Sequence, residues 1–85
     1  MDLKIDPRVL RMINALPEKT QRIIYQHLNQ LENPSTARDV EKISDTRWRM
    51  HIAHTFTVYY GIQEDVVYIT HFMTIQKAHK RYERE

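Results

Sequence analysis

Apolar residues recur along this chain with two different periods. Val9, Met12, Ile13 and Leu16 fall at i, i+3, i+4 and i+7, the stripe of a short helix. Asp6-Pro7 ahead of them reads as an N-cap followed by proline at the first helical position. Pro17 ends the run, because the residue before a proline is pushed out of the helical region. The same proline can open a second helix, with Ile24, Leu28 and Leu31 as its buried stripe and Thr20 and Ile23 beside it, until Asn33-Pro34 stops it. Residues 7–32 therefore predict a helical hairpin. Before it, DLKI (2–5) alternates as a short edge strand would.

From about residue 46 the period falls from 3.6 to 2. Residues 47–53, 55–62 and 66–75 are rich in Val, Ile, Thr, Tyr, Phe and Trp, as strands prefer. His54-Thr55 leaves room only for a tight turn, and Gln63-Glu64-Asp65 supplies another, so the three strands are expected to form an antiparallel meander. The polar stretch NPSTARDVEKISDT (33–46) reads as a loop anchored by Val40 and Ile43, with a helical turn over 36–43 as its expected form. The expected fold class is α+β: an N-terminal strand and a helical hairpin packed on an antiparallel β-sheet, followed by a short basic C-terminal tail, QKAHKRYERE.

Composition narrows the function classes. The 85 residues are 41% hydrophobic, room for one domain (1–85) with a modest core. There is no cysteine, which removes disulfides and thiolate metal sites and fits a reducing cytoplasm. MDLKIDPR has no apolar run of signal-peptide length, and no stretch approaches membrane-spanning length, so no membrane association is expected. A single glycine excludes glycine-rich phosphate loops. The net charge is +2 and the pI about 9.0, a mild lean towards anionic partners that matters through local clustering.

The clustering is in RWRMHI. Arg47, Arg49 and His51 alternate with Trp48, Met50 and Ile52, so a strand here has one cationic and one apolar face. Trp48, Met50, Ile52, Phe56, Val58, Tyr60 and Ile62 supply the face that the helical hairpin needs. The opposite face then carries Arg47, Arg49, His51, Thr55, Thr57 and Tyr59. A solvated strand face is the plain alternative, but this stretch lacks the acidic residues that usually intersperse one. The last strand also delivers His79, Lys80, Arg81 and Tyr82 to the same end of the sheet. Cations hold phosphates and aromatic planes stack on exposed bases, so the combination suits RNA.

Among the histidines, His51 and His79 are best placed for proton transfer near neutral pH. His71 lies in an apolar strand and is expected to be a hydrogen-bonded core residue, and His27 sits mid-helix. His51 and His54 are three apart, so on a strand they point to opposite faces and could meet only across a sharp turn. With no cysteine or paired carboxylate nearby, no metal and no other cofactor is expected. Ser35 and Ser44, the two serines, both lie in the polar loop, which disfavours a nucleophilic triad.

The order of these segments resembles the RelE/ParE superfamily of type II toxin–antitoxin toxins over nearly the whole chain. The likeness is carried by PRVLRMINALPEKTQRII, the loop ending ARDVEKI, the RWRMHI and TVYYGI strands, VVYI and the terminal AHKRY. The RelE branch implies a ribosome-dependent endonuclease that cuts mRNA, is neutralised by a small acidic antitoxin wrapped around it, and meets operator DNA only through that antitoxin. The ParE branch implies a gyrase inhibitor without nuclease residues. By this resemblance Arg49 and His51 match the basic strand positions and Tyr82 the terminal tyrosine. His51 or His79 would serve as base and acid, Arg49 with Lys80 or Arg81 would clamp the phosphate, and Arg47 and Lys77 would add RNA contacts. Thr55-Phe56-Thr57 stands where the family usually has an arginine, and Thr74-Ile75-Gln76 where it has another. A non-nuclease, ParE-like gyrase inhibitor, or a catalytically weakened member that chiefly binds its antitoxin, is therefore the alternative.

Overall fold

A computed structural model describes residues 1–75. In chain order these form β1 (Asp2–Ile5), α1 (Pro7–Asn14), α2 (Glu18–Asn29), β2 (Val40–Lys42), β3 (Trp48–Ile52), β4 (Phe56–Gln63) and β5 (Val66–Thr74), with 3₁₀ turns at Gln30–Glu32 and Pro34–Thr36. The tail positions His79, Tyr82, Lys77, Lys80 and Arg81 lie outside the described residues.

The hairpin starts as its sequence dictates. The Asp6 carboxylate accepts the Arg8 backbone N–H at 2.8 Å, satisfying one of the donors that a helix start leaves open. Pro17 separates the helices, and the Gln21 amide then donates to the Leu16 carbonyl at 2.8 Å and the Tyr25 hydroxyl to Asn14 Oδ1 at 2.8 Å. The first helix ends two residues before Leu16, which still packs against the core from beyond the helix end, whereas Met12, within the expected stripe, is 48% exposed.

The sheet has five strands in the order β1-β5-β4-β3-β2. The β3–β4–β5 meander is antiparallel, as its pattern predicts. Its turns use left-handed backbone at Ala53 and His54 and at Glu64 and Asp65, the twist that tight hairpins prefer. Two expectations are corrected. The sheet is mixed, because β1 lies parallel to β5, with Leu3 opposite Val67 and Ile5 opposite Ile69. Residues 36–43 form no helical turn: after a left-handed Asp39, Val40–Lys42 pairs with β3 as an edge strand, placing Val40 opposite Met50 and Glu41 opposite Arg49. The Ile43 and Ser44 N–H groups donate to the Arg47 carbonyl at 2.9 and 3.2 Å, closing the intervening loop and leaving Arg47 just outside β3. Gly61 sits beneath this loop; a Cβ there would come 3.2 Å from the Thr46 carbonyl oxygen.

The helices cover one sheet face. Val9, Ile13, Ile24, Leu28 and Leu31 pack on Met50, Ile52, Val58, Tyr60, Val67 and Ile69, all essentially without solvent contact. Trp48 stacks on Tyr60 with ring centroids 6.0 Å apart, and Phe56 on Phe72 at 5.1 Å. Each fully buried aliphatic side chain contributes about 1.5–3 kcal/mol. Burial pushes the Tyr60 phenol up to about 12. Among the described residues, no helix is long and apolar enough to cross a membrane.

Candidate functional site

The face turned away from the helices brings the cationic stripe into register with its neighbours. Glu41, Arg49, Tyr59 and His71 lie directly opposite one another on β2, β3, β4 and β5, forming one row across the sheet. Directly paired strand residues have Cβ atoms about 4.5–5.5 Å apart, so adjacent members of the row interact. His51, Thr57 and Met73 form the next row. This is not the solvated strand face of the plain alternative, because Thr57, Tyr59 and Met73 are buried. The Thr57 hydroxyl donates to the Met50 carbonyl at 3.2 Å.

The two arginines differ in their surroundings. Arg49 Nε donates to Glu41 Oε2 at 3.0 Å and its Nη2 bonds the same oxygen. The Arg49 side chain is 13% exposed and that of Glu41 60%. The stripe thus has an acidic partner, supplied by the edge strand that the polar loop concealed. Arg47 instead lays its guanidinium over the Tyr59 ring, Cζ to centroid 5.2 Å, and its Nη2 is buried with no hydrogen-bond partner among the described residues.

His71 is half-buried rather than a core residue. The cause is a bulge: Tyr59 pairs with His71 but Tyr60 with Ile69, so Thr70 is an extra residue on β5. The Thr70 Oγ1 lies 3.2 Å from the Tyr59 carbonyl and 3.0 Å from His71 Nδ1. The His71 ring meets Tyr59 edge-on, centroids 6.2 Å apart. Burial lowers the His71 pKa, and the charges of Arg47 and Arg8 lower it further against a smaller opposing pull from Asp6. Asp6 itself is held below the usual carboxylate range, first by its side-chain hydrogen bond from Arg8.

His51 and His54 lie on either side of Ala53, at the sharp turn whose left-handed residues are Ala53 and His54. With His27, Asp39, Ala53 and Ile75 they line a cleft of about 290 Å³ at the end of the sheet. The His51 N–H donates to the Asp39 carbonyl at 3.0 Å, and His27 Nδ1 lies 2.8 Å from the Ile23 carbonyl, to which it donates. Among the described residues no group of three or more His, Cys, Asp or Glu is placed to hold a metal ion.

Of the positions expected from sequence, Arg47, Arg49 and His51 thus share one face of the sheet. Glu41 and His71 were missed. No protein-family model matches this chain, and no curated protein matches it.

Proposed function

We propose that the chain is a RelE-like toxin of a type II toxin–antitoxin system, a metal-independent endoribonuclease that cuts mRNA on the ribosome in the cytoplasm. The observation that carries this reading is the sheet face on which Arg47, Arg49 and His51 lie beside Tyr59 and His71. In metal-free cleavage the 2′-hydroxyl attacks the adjacent phosphorus. A base takes its proton, cations balance the charge of the pentacoordinate phosphorane, and an acid protonates the departing 5′-oxygen. Arginine suits the phosphorane because its planar fork donates two parallel hydrogen bonds. An imidazole such as that of His51 suits the proton transfers because its two ring nitrogens can accept and donate protons.

The partner reading follows from the helices. Leu10, Met12 and Ile23 are 38%, 48% and 36% exposed, on helices that also carry Arg8, Arg11, Lys19 and Arg22. Apolar residues amid cations suit an acidic amphipathic segment, the chemistry of an antitoxin, through which operator DNA would be reached. Charge complementarity would make that association fast and salt-dependent.

A second reading is favoured by Glu41. With Arg49 already bound to a carboxylate, the chain could be a weakened, antitoxin-binding member or a ParE-like gyrase inhibitor. Induced expression, with mapping of mRNA 5′ ends alongside gyrase-dependent DNA breaks, separates these readings. New 5′ ends within translated codons support the nuclease; DNA breaks without them support the gyrase inhibitor; neither, with growth unaffected, leaves the binding member. Co-expression with an adjacent short acidic reading frame tests the partner, and absence of a complex on size exclusion would count against the toxin assignment as a whole.

A further inference from the structure

The bulge at Thr70 and the buried donor of Arg47 converge on one aromatic ring. Arg47 Cζ lies 5.2 Å from the Tyr59 centroid, and His71 meets the same ring edge-on at 6.2 Å. Resting on the nuclease reading above, we propose that Arg47, Tyr59 and His71 form the seat of the scissile phosphodiester, with Arg47 as its cation and His71 Nε2 as the base for the attacking 2′-hydroxyl.

Arg47 is better placed than Arg49 to hold the phosphate. Arg49 spends its Nε and Nη2 on Glu41, whereas no ion pair engages Arg47 among the described residues. A buried N–H without an acceptor is costly, and a phosphate oxygen is the acceptor that a guanidinium fits best. Tyr59 holds the guanidinium by its ring face, which leaves the in-plane N–H groups to point at a ligand.

Hydrogen bonding fixes which nitrogen of His71 is basic. The Tyr59 carbonyl can only accept, so the Thr70 hydroxyl gives it the proton and must itself accept from His71 Nδ1–H. The neutral imidazole then carries its lone pair on Nε2. A bulge next to a site commonly re-aims a side chain, and this one turns His71 onto the Arg47 face while placing Thr70 to set its tautomer. Among the described residues, the charged and titratable groups around His71 include Arg47 from the β2–β3 loop, Tyr59 from β4, and Asp6 and Arg8 from the start of α1. Burial and the two cations disfavour the imidazolium and so favour the neutral, basic form of His71. In the step itself the 2′-hydroxyl proton passes to Nε2 and the 2′-oxygen bonds to phosphorus. The bond from phosphorus to the 5′-oxygen then breaks, and that oxygen takes a proton from His51, the acid of the step. The products are a 2′,3′-cyclic phosphate and a 5′-hydroxyl.

The test follows the imidazole nitrogens of the full chain by ¹⁵N NMR during titration with inorganic phosphate. We expect His71 as the Nδ1–H tautomer, with a pKa that rises when phosphate binds, while the His54 resonances do not respond to phosphate. Arg47→Gln should weaken phosphate binding about tenfold or more, and Arg49→Gln much less. Thr70→Val should lose the tautomer preference and Thr70→Ser keep it. An Nε2–H tautomer, a His71 resonance indifferent to phosphate, or equal weakening by the two arginine variants overturns the proposal. If Arg47→Gln fails to fold, Arg47→Lys replaces it, with reduced affinity expected and full affinity refuting. On programmed ribosomes, His71→Gln should lower single-turnover cleavage about 10²–10⁴-fold and remove the acidic limb of the pH–rate profile. If the wild-type chain cleaves nothing there, the nuclease reading fails and the base role with it, while the phosphate titration still decides the anion seat.

Discussion

Replacing Glu41 by glutamine keeps its shape but removes the charge facing Arg49, and the cost can be bounded from the geometry. Two unit charges about 4 Å apart attract by about 1 kcal/mol in water and about 4 kcal/mol at an effective dielectric constant of about 20. Arg49 is largely covered, with 13% of its side chain exposed, but Glu41 keeps 60% of its own in solvent. The carboxylate therefore remains well hydrated, and the pair belongs near the lower bound, about 1–2 kcal/mol. That exceeds the about 0.2–1 kcal/mol of fully exposed pairs, because both Arg49 nitrogens reach one oxygen and one partner is mostly buried.

Urea denaturation of the wild type, Glu41→Gln, Arg49→Met and the double variant isolates this term, since Arg49's other contacts cancel in the cycle. The coupling should be about 1–2 kcal/mol at low ionic strength. It should shrink as salt rises from about 0.1 to about 1 M, where the screening length falls from about 10 to about 3 Å. A coupling below about 0.3 kcal/mol is indistinguishable from additivity and would refute the pairing. A coupling of several kcal/mol that ignores salt would place the carboxylate in a dry environment, contrary to its exposure.

Three further outcomes are expected. Leu28→Ala, which truncates a fully buried side chain between α2 and the sheet, should cost about 2–5 kcal/mol in the same urea assay, with the meander retained by NMR. Because the folded pKa of His71 is lowered from 6.5, the unfolded chain binds the extra proton first as pH falls; the contribution of His71 to stability is present above pH 6.5 and is lost as pH falls through the folded pKa, and His71→Phe should remove that component of the acid-side slope. If the chain cleaves mRNA, Arg47→Ala should reduce single-turnover cleavage about 10²–10³-fold, whereas Arg38→Ala on the exposed loop should leave it near wild type.

The elements that could be read from the chain alone are those whose pairing is local. The stripes of α1 and α2 and the alternation of β3, β4 and β5 are carried within single segments, and their tight turns join neighbours in sequence. β1 has no such local cue. The free edge it joins belongs to β5, on the far side of the chain, and its parallel orientation follows from the crossover through both helices. β2 fails for another reason. A three-residue strand gives too short an alternation to stand out from the polar loop around it, and only its pairing with β3 reveals that Glu41 faces Arg49.

His71 shows how one local irregularity decides what a site contains. Strict alternation along VVYITHFMT puts residues 67, 69, 71 and 73 on one face and makes His71 a core residue beneath the helices. The apolar positions that actually face the helices are Val67, Ile69 and Phe72, a step of two followed by a step of three. That step is written in the sequence, because Phe72 would otherwise face away from the core beside a histidine that faces into it. Burying Phe72 instead of an imidazole favours the larger apolar side chain and avoids stripping water from a titratable group. The same phase shift turns Met73 and His71 towards Tyr59, the ring that Arg47 covers. Core packing thus sets the register break, and the register break carries an imidazole of fixed tautomer to an arginine with a donor to spare.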